Sequence, residues 1–312
     1  MQENLVIIIG GSTASGKSAL AFDLAKELDG IIINADSMQV YKDTPILSAN
    51  PTVEEKTQIP HKLYEIYEAD KHGNVSEWLK LATEEIKLAW QSKKTPILVG
   101  GTGMYFHSLI NGMSPIPETK KEIKNKTEQL LNEIGSKELH KKLNEIDSKT
   151  AERLSPNDST RVKRAYEVWL DTGKSISDWH EEENIKIIPE AEFFTIKIIP
   201  SAEEVDERCY NRFEKMIELG ALEEVKKLKE KKLSQNLPAM KAIGIPELSD
   251  YLDGKISLEE AINLGKLRTR QYAKRQRTWF AHKFDAKLTI DNYYNNNNFI
   301  MMNIKKLLHK SS

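Results

Sequence analysis

Leu5-Val6-Ile7-Ile8-Ile9-Gly10-Gly11-Ser12-Thr13-Ala14-Ser15-Gly16-Lys17-Ser18-Ala19-Leu20 is the stretch from which the rest of the chain is read. Five apolar residues, most of them β-branched, form a buried strand, a glycine-rich turn follows, and a helical pattern begins at once. Gly11 to Ser18 satisfies G-x-x-x-x-G-K-[ST] in full, with the strand before it and the helix after it that the motif requires. The glycines let the backbone curl so that successive N–H groups face an anion, to which the following helix presents its partly positive end. Lys17 adds a full charge, and the Ser18 hydroxyl can ligate magnesium. Gly11, Ser12, Thr13, Ala14, Ser15, Gly16, Lys17 and Ser18 are therefore candidate phosphate-binding residues, with a di- or triphosphate as occupant. A ligand-free turn is the competing interpretation, and the flanking strand and helix weigh against it.

Outward from this loop, strand and helix patterns alternate. A helix is predicted over Ala19 to Leu28, a strand over Ile31 to Ile33 ending in Asn34-Ala35-Asp36, and an amphipathic helix over Ser76 to Gln91 with Ser76 as N-cap. Pro96 to Val99 forms a further buried strand meeting Gly100-Gly101-Thr102-Gly103. This alternation predicts an α/β fold, a P-loop-type parallel sheet flanked by helices. Ligands of such sheets sit outside the carboxyl ends of the strands, so the three turns are expected to surround one site. After Ser114-Pro115-Ile116-Pro117 the chain turns to charged helix formers up to Glu183. A helical insertion domain is expected over 114–186, within a catalytic core of 1–113 and 187–312. A strand over Phe193 to Ile199 returns to the sheet, and helices follow, the last after a polar turn around Asn295 to Asn298.

The 312 residues, 39% hydrophobic and 30% charged, suffice for a packed fold of one or two domains. Forty-six Lys and Arg against 47 Asp and Glu leave a net charge of −1, so any nucleic-acid surface has to be local. With Cys209 alone there is no internal disulfide and no cysteine-rich zinc site. The N-terminus lacks a signal-peptide pattern and no stretch reaches membrane-spanning length, which predicts a cytoplasmic protein without a membrane partner.

A phosphate loop serves kinases, ATPases, GTPases and enzymes that only hold a diphosphate. A hydrolase of this class carries a strand ending in Asp for magnesium, whereas Ile97 to Val99 runs into Gly100-Gly101-Thr102. A guanine-specificity Asn-Lys-x-Asp is also absent, the nearest stretch being Asn125-Lys126-Thr127-Glu128 in the insertion. Asp36, at a strand end, is a general base, a magnesium ligand or the cap of the next segment. Thr102, between glycines, offers a hydroxyl where backbone can approach a ligand, or is a plain turn residue.

Gly11 to Ser18, Ala35-Asp36-Ser37-Met38-Gln39-Val40-Tyr41-Lys42 and Gly100-Gly101-Thr102-Gly103-Met104-Tyr105-Phe106 together resemble the tRNA dimethylallyltransferase family, also called tRNA isopentenyltransferases or IPP transferases. The likeness continues in order through Pro60-His61-Lys62-Leu63, Ser155-Pro156-Asn157-Asp158, Thr172-Gly173-Lys174, Arg208 and Arg212, Met240-Lys241-Ala242-Ile243-Gly244, and Lys274-Arg275-Gln276-Arg277-Thr278-Trp279. It spans about Leu5 to Phe280. The resemblance implies transfer of a dimethylallyl group from dimethylallyl diphosphate to the exocyclic amine of the adenine 3′ of the anticodon, with Mg2+ as cofactor. It implies Asp36 as the base on that amine, Thr102 at the oxygen bridging diphosphate and prenyl group, and Arg212 with Arg208 on the departing diphosphate. Preorganised donors at such a charge are worth several kcal/mol, and loss of one costs roughly 3 to 4 kcal/mol. Two departures stand out. Gly11-Ser12-Thr13 replaces the family's Gly-Pro-Thr, and Leu47-Ser48-Ala49-Asn50-Pro51 replaces Gly-Thr-Ala-Lys-Pro. With one cysteine the chain lacks the zinc finger of eukaryotic relatives, so it looks like the bacterial type, and a monomer is expected.

Between Ala261 and Phe284 there is no acid, but Lys266, Arg268, Arg270, Lys274, Arg275, Arg277 and Lys283 are present. On a helix, Lys266, Arg270, Lys274 and Arg277 share one face, and Arg268, Tyr272, Arg275 and Trp279 nearly the opposite one. Phosphate contacts with stacking aromatics, or a solvated charged face with Tyr272 and Trp279 in the core, are the two interpretations. Reaching a stacked adenine requires flipping it out, at a few kcal/mol. Ser37, Met38 and Gln39 are candidates for the extruded base. Thr160, Arg161, Arg164, Lys241, Gly244, Lys274, Arg275, Gln276 and Arg277 are candidates for the anticodon stem-loop, and each competes with a structural role. His61 and Cys209 are expected to pack. A small-molecule kinase, an isopentenyltransferase acting on free adenine nucleotides, and a non-catalytic RNA-binding protein are the alternatives. The long insertion weighs against the second, and intact Lys17, Ser18 and Asp36 against the third.

Overall fold

A computed structural model describes residues 4–310. In chain order it contains β1 (Leu5–Gly11), α1 (Lys17–Glu27), β2 (Gly30–Asn34), α2 (Pro45–Ser48), α3 (Val53–Gln58), β3 (His61–Lys62), α4 (Val75–Gln91), β4 (Thr95–Gly100) and α5 (Gly103–Asn111). Next come α6 (Lys121–Ile146), α7 (Ser148–Arg153), α8 (Ser159–Thr172) and α9 (Ile176–Glu181). The chain then returns through β5 (Glu192–Ile198), α10 (Ala202–Glu218), α11 (Ala221–Glu230), α12 (Ile245–Leu252), α13 (Leu258–Lys283), β6 (Leu288–Ile290) and α14 (Asn298–Lys310). No described helix is long and apolar enough to cross a membrane.

The six strands form one parallel sheet in the order β3-β2-β4-β1-β5-β6. Helices cover both faces of the central strands, which explains why β1 and β4 are buried along their whole length and read as unbroken apolar runs. β1 sits at the centre, with Ile7 opposite Ile97 on one side and Phe194 on the other. Leu5, Ile7 and Ile9 point to one face, where Leu20, Leu24, Ile97, Ile196 and Tyr294 pack. Because β1, β2 and β4 are adjacent and parallel, their carboxyl ends lie side by side. This register is what brings the phosphate loop, the Asp36 turn and the Thr102 turn together. α4 begins one residue before the expected start, since Asn74, not Ser76, caps it by accepting a hydrogen bond from the Glu77 N–H at 2.9 Å.

Two compact units are present, Met1–Ile110 with Ile188–Ser312, and Asn111–Ile187. The second is all-helical around Leu139, Leu143, Ala151, Val162 and Ala165. Its buried Asp147 accepts from the Thr150 N–H at 3.0 Å and from the Ser177 N–H and hydroxyl at 3.1 and 2.8 Å. An antiparallel bridge between Met113 and Ile185 closes it. In the first unit α10 and α13 lie against each other, with Phe213 of α10 seated where a Cβ on Gly265 would fall 2.1 Å from its ring. This pair positions Arg208 and Arg212 from one helix, and Tyr272, Arg275 and Gln276 from the other.

Candidate active site

Between β1 and α1 the backbone turns through two left-handed residues, Ala14 (φ 62°) and Gly16 (φ 91°). Such turns point successive N–H groups into one concavity, and those opening α1 have no partner within the helix. Residue 16 has to be glycine for a second reason, because a Cβ would lie 2.5 Å from the Tyr294 carbonyl oxygen. The buried hydroxyls of Ser12 and Ser15 have no hydrogen-bond partner, which is costly unless a ligand supplies one. Lys17 donates to the Ser12 carbonyl at 3.0 Å. Desolvation pulls its pKa down to about 8, with Asp36 opposing the shift and Arg212 reinforcing it. Facing the loop, α10 presents Arg208, Asn211, Arg212 and Lys215, a spacing of three, four and seven that keeps them on one helix face. With Ala14 to Ala19 and Tyr293 they line a cavity of about 410 Å³ that has no carboxylate among its described lining residues. Asn211 and Lys215 are absent from the sequence-level site, although their spacing from Arg208 carries the signal.

The Asp36 turn is tied by Asn34. Its buried amide donates to the carbonyls of Asp36 and Leu63, both at 3.0 Å, and its oxygen accepts from the Asp36 N–H at 2.8 Å. The Trp78 indole N–H donates to the Asn34 carbonyl at 2.8 Å. One oxygen of Asp36 accepts from the Met38 N–H at 2.9 Å. This is a local turn and not a helix cap, since the next helix begins at Pro45. Thr102 donates its N–H to Ala35 at 3.2 Å, and its Oγ1 accepts from the Ser37 N–H at 2.9 Å and donates to the Ser37 hydroxyl at 3.3 Å. The two turns are thus joined side chain to backbone.

Asp36 opens on a second cavity, of about 460 Å³, together with Thr13, Lys17, Ser18 and Arg212. Asp36 is the one carboxylate among its described lining residues. Ser37, Met38, Gln39, Lys241, Tyr272 and Arg275 line it too, and Leu47, Phe213, Met216, Ala242 and Ile243 give it an apolar portion. Burial lowers the pKa of Arg212 and raises that of Tyr272. The Leu47 loop, where the chain departs from the family pattern, is a cavity wall. Glu224 holds it by accepting from the N–H groups of Ile46 and Leu47 at 2.7 and 3.0 Å. Gln39 donates to the carbonyls of Ser48 and Ala49 at 3.2 and 2.9 Å.

Two residues expected at a tRNA surface lie inside instead. Gln276 is 6% exposed, accepts from the Thr13 N–H at 2.8 Å and donates to the Gly101 carbonyl at 3.0 Å. It links the phosphate loop to the Thr102 turn, and Gly101 is bare because a Cβ would sit 2.1 Å from the Gln276 amide nitrogen. Gly244 is buried against Leu47 and donates its N–H to Glu247 at 2.8 Å. The acid-free run is also less basic in space than in sequence. Lys266 pairs with Glu214, Arg270 with Asp206 at 2.6 Å and Arg268 with the buried Glu247 at 2.6 Å. Lys241, Lys274 and Arg275 are exposed, whereas the buried Arg277 Nε has no partner. Trp279 is half-buried, its ring lying where a Cβ on Gly103 would fall 2.2 Å from it, so it packs on the start of α5. Thr160, Arg161 and Arg164 lie on α8 of the second unit. There Arg161 pairs with Asp158 at 3.3 Å, and Arg164 donates to the Thr119 hydroxyl. Cys209 packs with Val205 and Ala273, and burial raises its thiol to about 11, so it is no nucleophile. The half-buried His61 bonds to the Ile59 carbonyl at 2.8 Å, a packing role.

A similarity of known name accompanies this geometry. A Rickettsia bellii protein named tRNA dimethylallyltransferase is 41% identical over 305 residues, 98% of this chain and 96% of the relative. A Granulibacter bethesdensis protein of the same name is 41% identical over 283 residues, 91% and 88% of the two chains. Among solved structures, the tRNA isopentenylpyrophosphate transferase of Bacillus halodurans superposes with a TM-score of 0.70 at 33% identity, covering 99% of this chain and 97% of that one. A eukaryotic dimethylallyltransferase acting on tRNA gives 0.85 at 29% identity, covering 99% and 80%. The family model described as IPP transferase matches residues 39–283, and with relatives this similar along nearly its whole length the chain belongs to the IPP transferase family.

Proposed function

We propose that the protein transfers a dimethylallyl group from dimethylallyl diphosphate to the exocyclic amine of the adenine 3′ of the anticodon in tRNA, releasing diphosphate. The observation that carries this reading is the shared cavity. One carboxylate, Asp36, opens on the same space as the phosphate loop and an apolar wall. Breaking the allylic C–O bond builds negative charge on the diphosphate. The loop N–H groups with the desolvated Lys17 and Arg212 side chains supply preorganised donors where that charge grows, and the exposed Arg208 and Lys215 add positive charge beside them. Asp36 is the base on the attacking amine. Thr102 lines neither cavity, but its hydroxyl bonds Ser37 beside Asp36, and to meet the bridging oxygen it would exchange that 3.3 Å hydrogen bond, a weak contact to give up.

A magnesium ion suits these residues. Magnesium usually keeps several waters and takes one or two protein oxygens plus substrate phosphates, so it requires no acidic cage. Among the described residues no group of three or more His, Cys, Asp or Glu is arranged to hold a metal, and the unpartnered Ser12 and Ser15 hydroxyls lie in the loop beside Ser18. The Ser18 hydroxyl would hold the ion, which when bound would neutralise diphosphate charge.

For tRNA, Lys241 and Arg275 offer exposed cations at the cavity, Lys274 and Arg277 add charge to α13, and the insertion carries its own candidates in the cations Arg161 and Arg164 and the neutral hydroxyl of Thr160. A tRNA substrate supports a cytoplasmic protein, and a cavity built from one chain's residues suits a monomer. Incubation with dimethylallyl diphosphate, magnesium and unmodified tRNA, followed by nucleoside mass analysis, tests the proposal. Asp36→Ala is expected to abolish the prenylated adenosine while tRNA affinity stays within a few-fold, as for a group acting mainly in the transition state. Phosphorylation of an acceptor by labelled ATP with prenyl donors inert would refute it.

A further inference from the structure

One wall of the 410 Å³ cavity comes from chain beyond residue 283, outside the region matched by the family model. After β6 the backbone runs back over the phosphate loop. The buried Tyr294 donates its N–H to the Ser15 carbonyl at 3.3 Å and its hydroxyl to Asp23 of α1 at 2.7 Å. With Gly16 pressed against its backbone, Tyr294 is fixed to both the loop and the helix that the loop opens. Tyr293 is thereby delivered to the cavity, and the Arg208 guanidinium carbon lies 3.5 Å from its ring centroid. Arg208 is exposed, and no carboxylate pairs with it among the described residues. An exposed arginine loses much rotamer freedom when it grips an anion, and an aromatic face beneath it removes part of that loss in advance. Stacking uses the plane of the guanidinium and leaves its N–H edge for hydrogen bonds.

We propose that Tyr293 is a positioning residue that holds Arg208 for the diphosphate, so that the segment after β6 completes the diphosphate site. This rests on the reading that a diphosphate occupies the cavity. The test is calorimetric binding of inorganic pyrophosphate with magnesium to the full chain. It uses the wild type, Tyr293→Leu, Tyr293→Phe, Arg208→Ala, the Arg208→Ala/Tyr293→Leu double variant and Lys17→Met. Tyr293→Leu is expected to weaken pyrophosphate by about two- to five-fold, the size of an exposed cation–π contact. Tyr293→Phe keeps the ring and restores the affinity, and Tyr293→Leu adds nothing once Arg208 is gone. The KM for the prenyl donor should follow pyrophosphate while the KM for tRNA does not, a split that a merely structural role would not produce. An equal loss in both Arg208 backgrounds, or no loss at all, would overturn the role of Tyr293 while leaving the diphosphate site intact. Pyrophosphate binding that Lys17→Met leaves unchanged would overturn the site itself, and the proposal with it.

Discussion

Replacing Gln276 by Leu removes an amide that the structure uses twice, with little change of volume. Leu cannot accept from Thr13 at 2.8 Å or donate to Gly101 at 3.0 Å, and at 6% exposure water does not readily take its place. Each of the two lost partners costs about 1 to 3 kcal/mol when left unsatisfied, so a loss of about 2 to 6 kcal/mol in stability is expected. The catalytic cost is separate. Gln276 ties the glycine-rich loop proposed to hold the leaving group to the turn that carries Thr102 and, through Ser37, Asp36. A displacement of about 1 Å between reacting groups lowers rate by about 100-fold, and a fraction of that is expected here, a kcat lowered about 10- to 100-fold. Single-turnover transfer with saturating donor measures the rate, and filter binding measures tRNA affinity, which should stay within about two-fold because the side chain is inside. A large loss of tRNA affinity with kcat unchanged would refute the reasoning and return Gln276 to a surface role.

Lys17, with its pKa held near 8, should make pyrophosphate affinity fall as pH rises through about 8, because the ammonium is lost from the cradle; Lys17→Arg should flatten the profile, as calorimetry across pH 7 to 10 would reveal. The sign for stability is opposite. Between about 8 and the unfolded value of 10.5 only the unfolded chain keeps the proton, so the Lys17 contribution to stability increases with pH in that window, measurable as a difference from Lys17→Met in denaturant midpoint. Gly16→Ala should abolish donor binding, since φ 91° and a contact of 2.5 Å to Tyr294 both oppose a side chain; wild-type donor KM in this variant would contradict the account of the loop. Arg275→Glu should weaken tRNA and reduce the slope of log affinity against log salt by about one to two, whereas the already paired Arg270→Gln should change that slope much less.

Much of the site was legible because its parts are local. A strand, a glycine-rich turn and a helix in succession announce a phosphate loop wherever they occur, since the anion is bound by backbone N–H groups whose direction is set within eight residues. Asp36 and Thr102 were legible as strand-end residues for the same reason. Gln276 and Gly244 were misplaced because a motif says which residues recur together, not which way each points. One helix position earlier or later separates a buried strut from an exposed contact. The basic run misled similarly, as the acids that neutralise Lys266, Arg268 and Arg270 come from α10 and α12, far away in sequence.

The amino-acid order alone determined the class of fold, the parallel sheet and the strand, turn and helix of the candidate phosphate loop, because hydrophobic period and turn chemistry act over a few residues. Tertiary structure decided the rest: that β1, β2 and β4 lie adjacent, that α10 turns Asn211 and Lys215 onto the loop, that Gln276 locks two turns together, and that Tyr293 meets Arg208. These contacts join residues up to 263 positions apart. Such pairings follow from how whole elements pack, and no short stretch contains the energy that selects them.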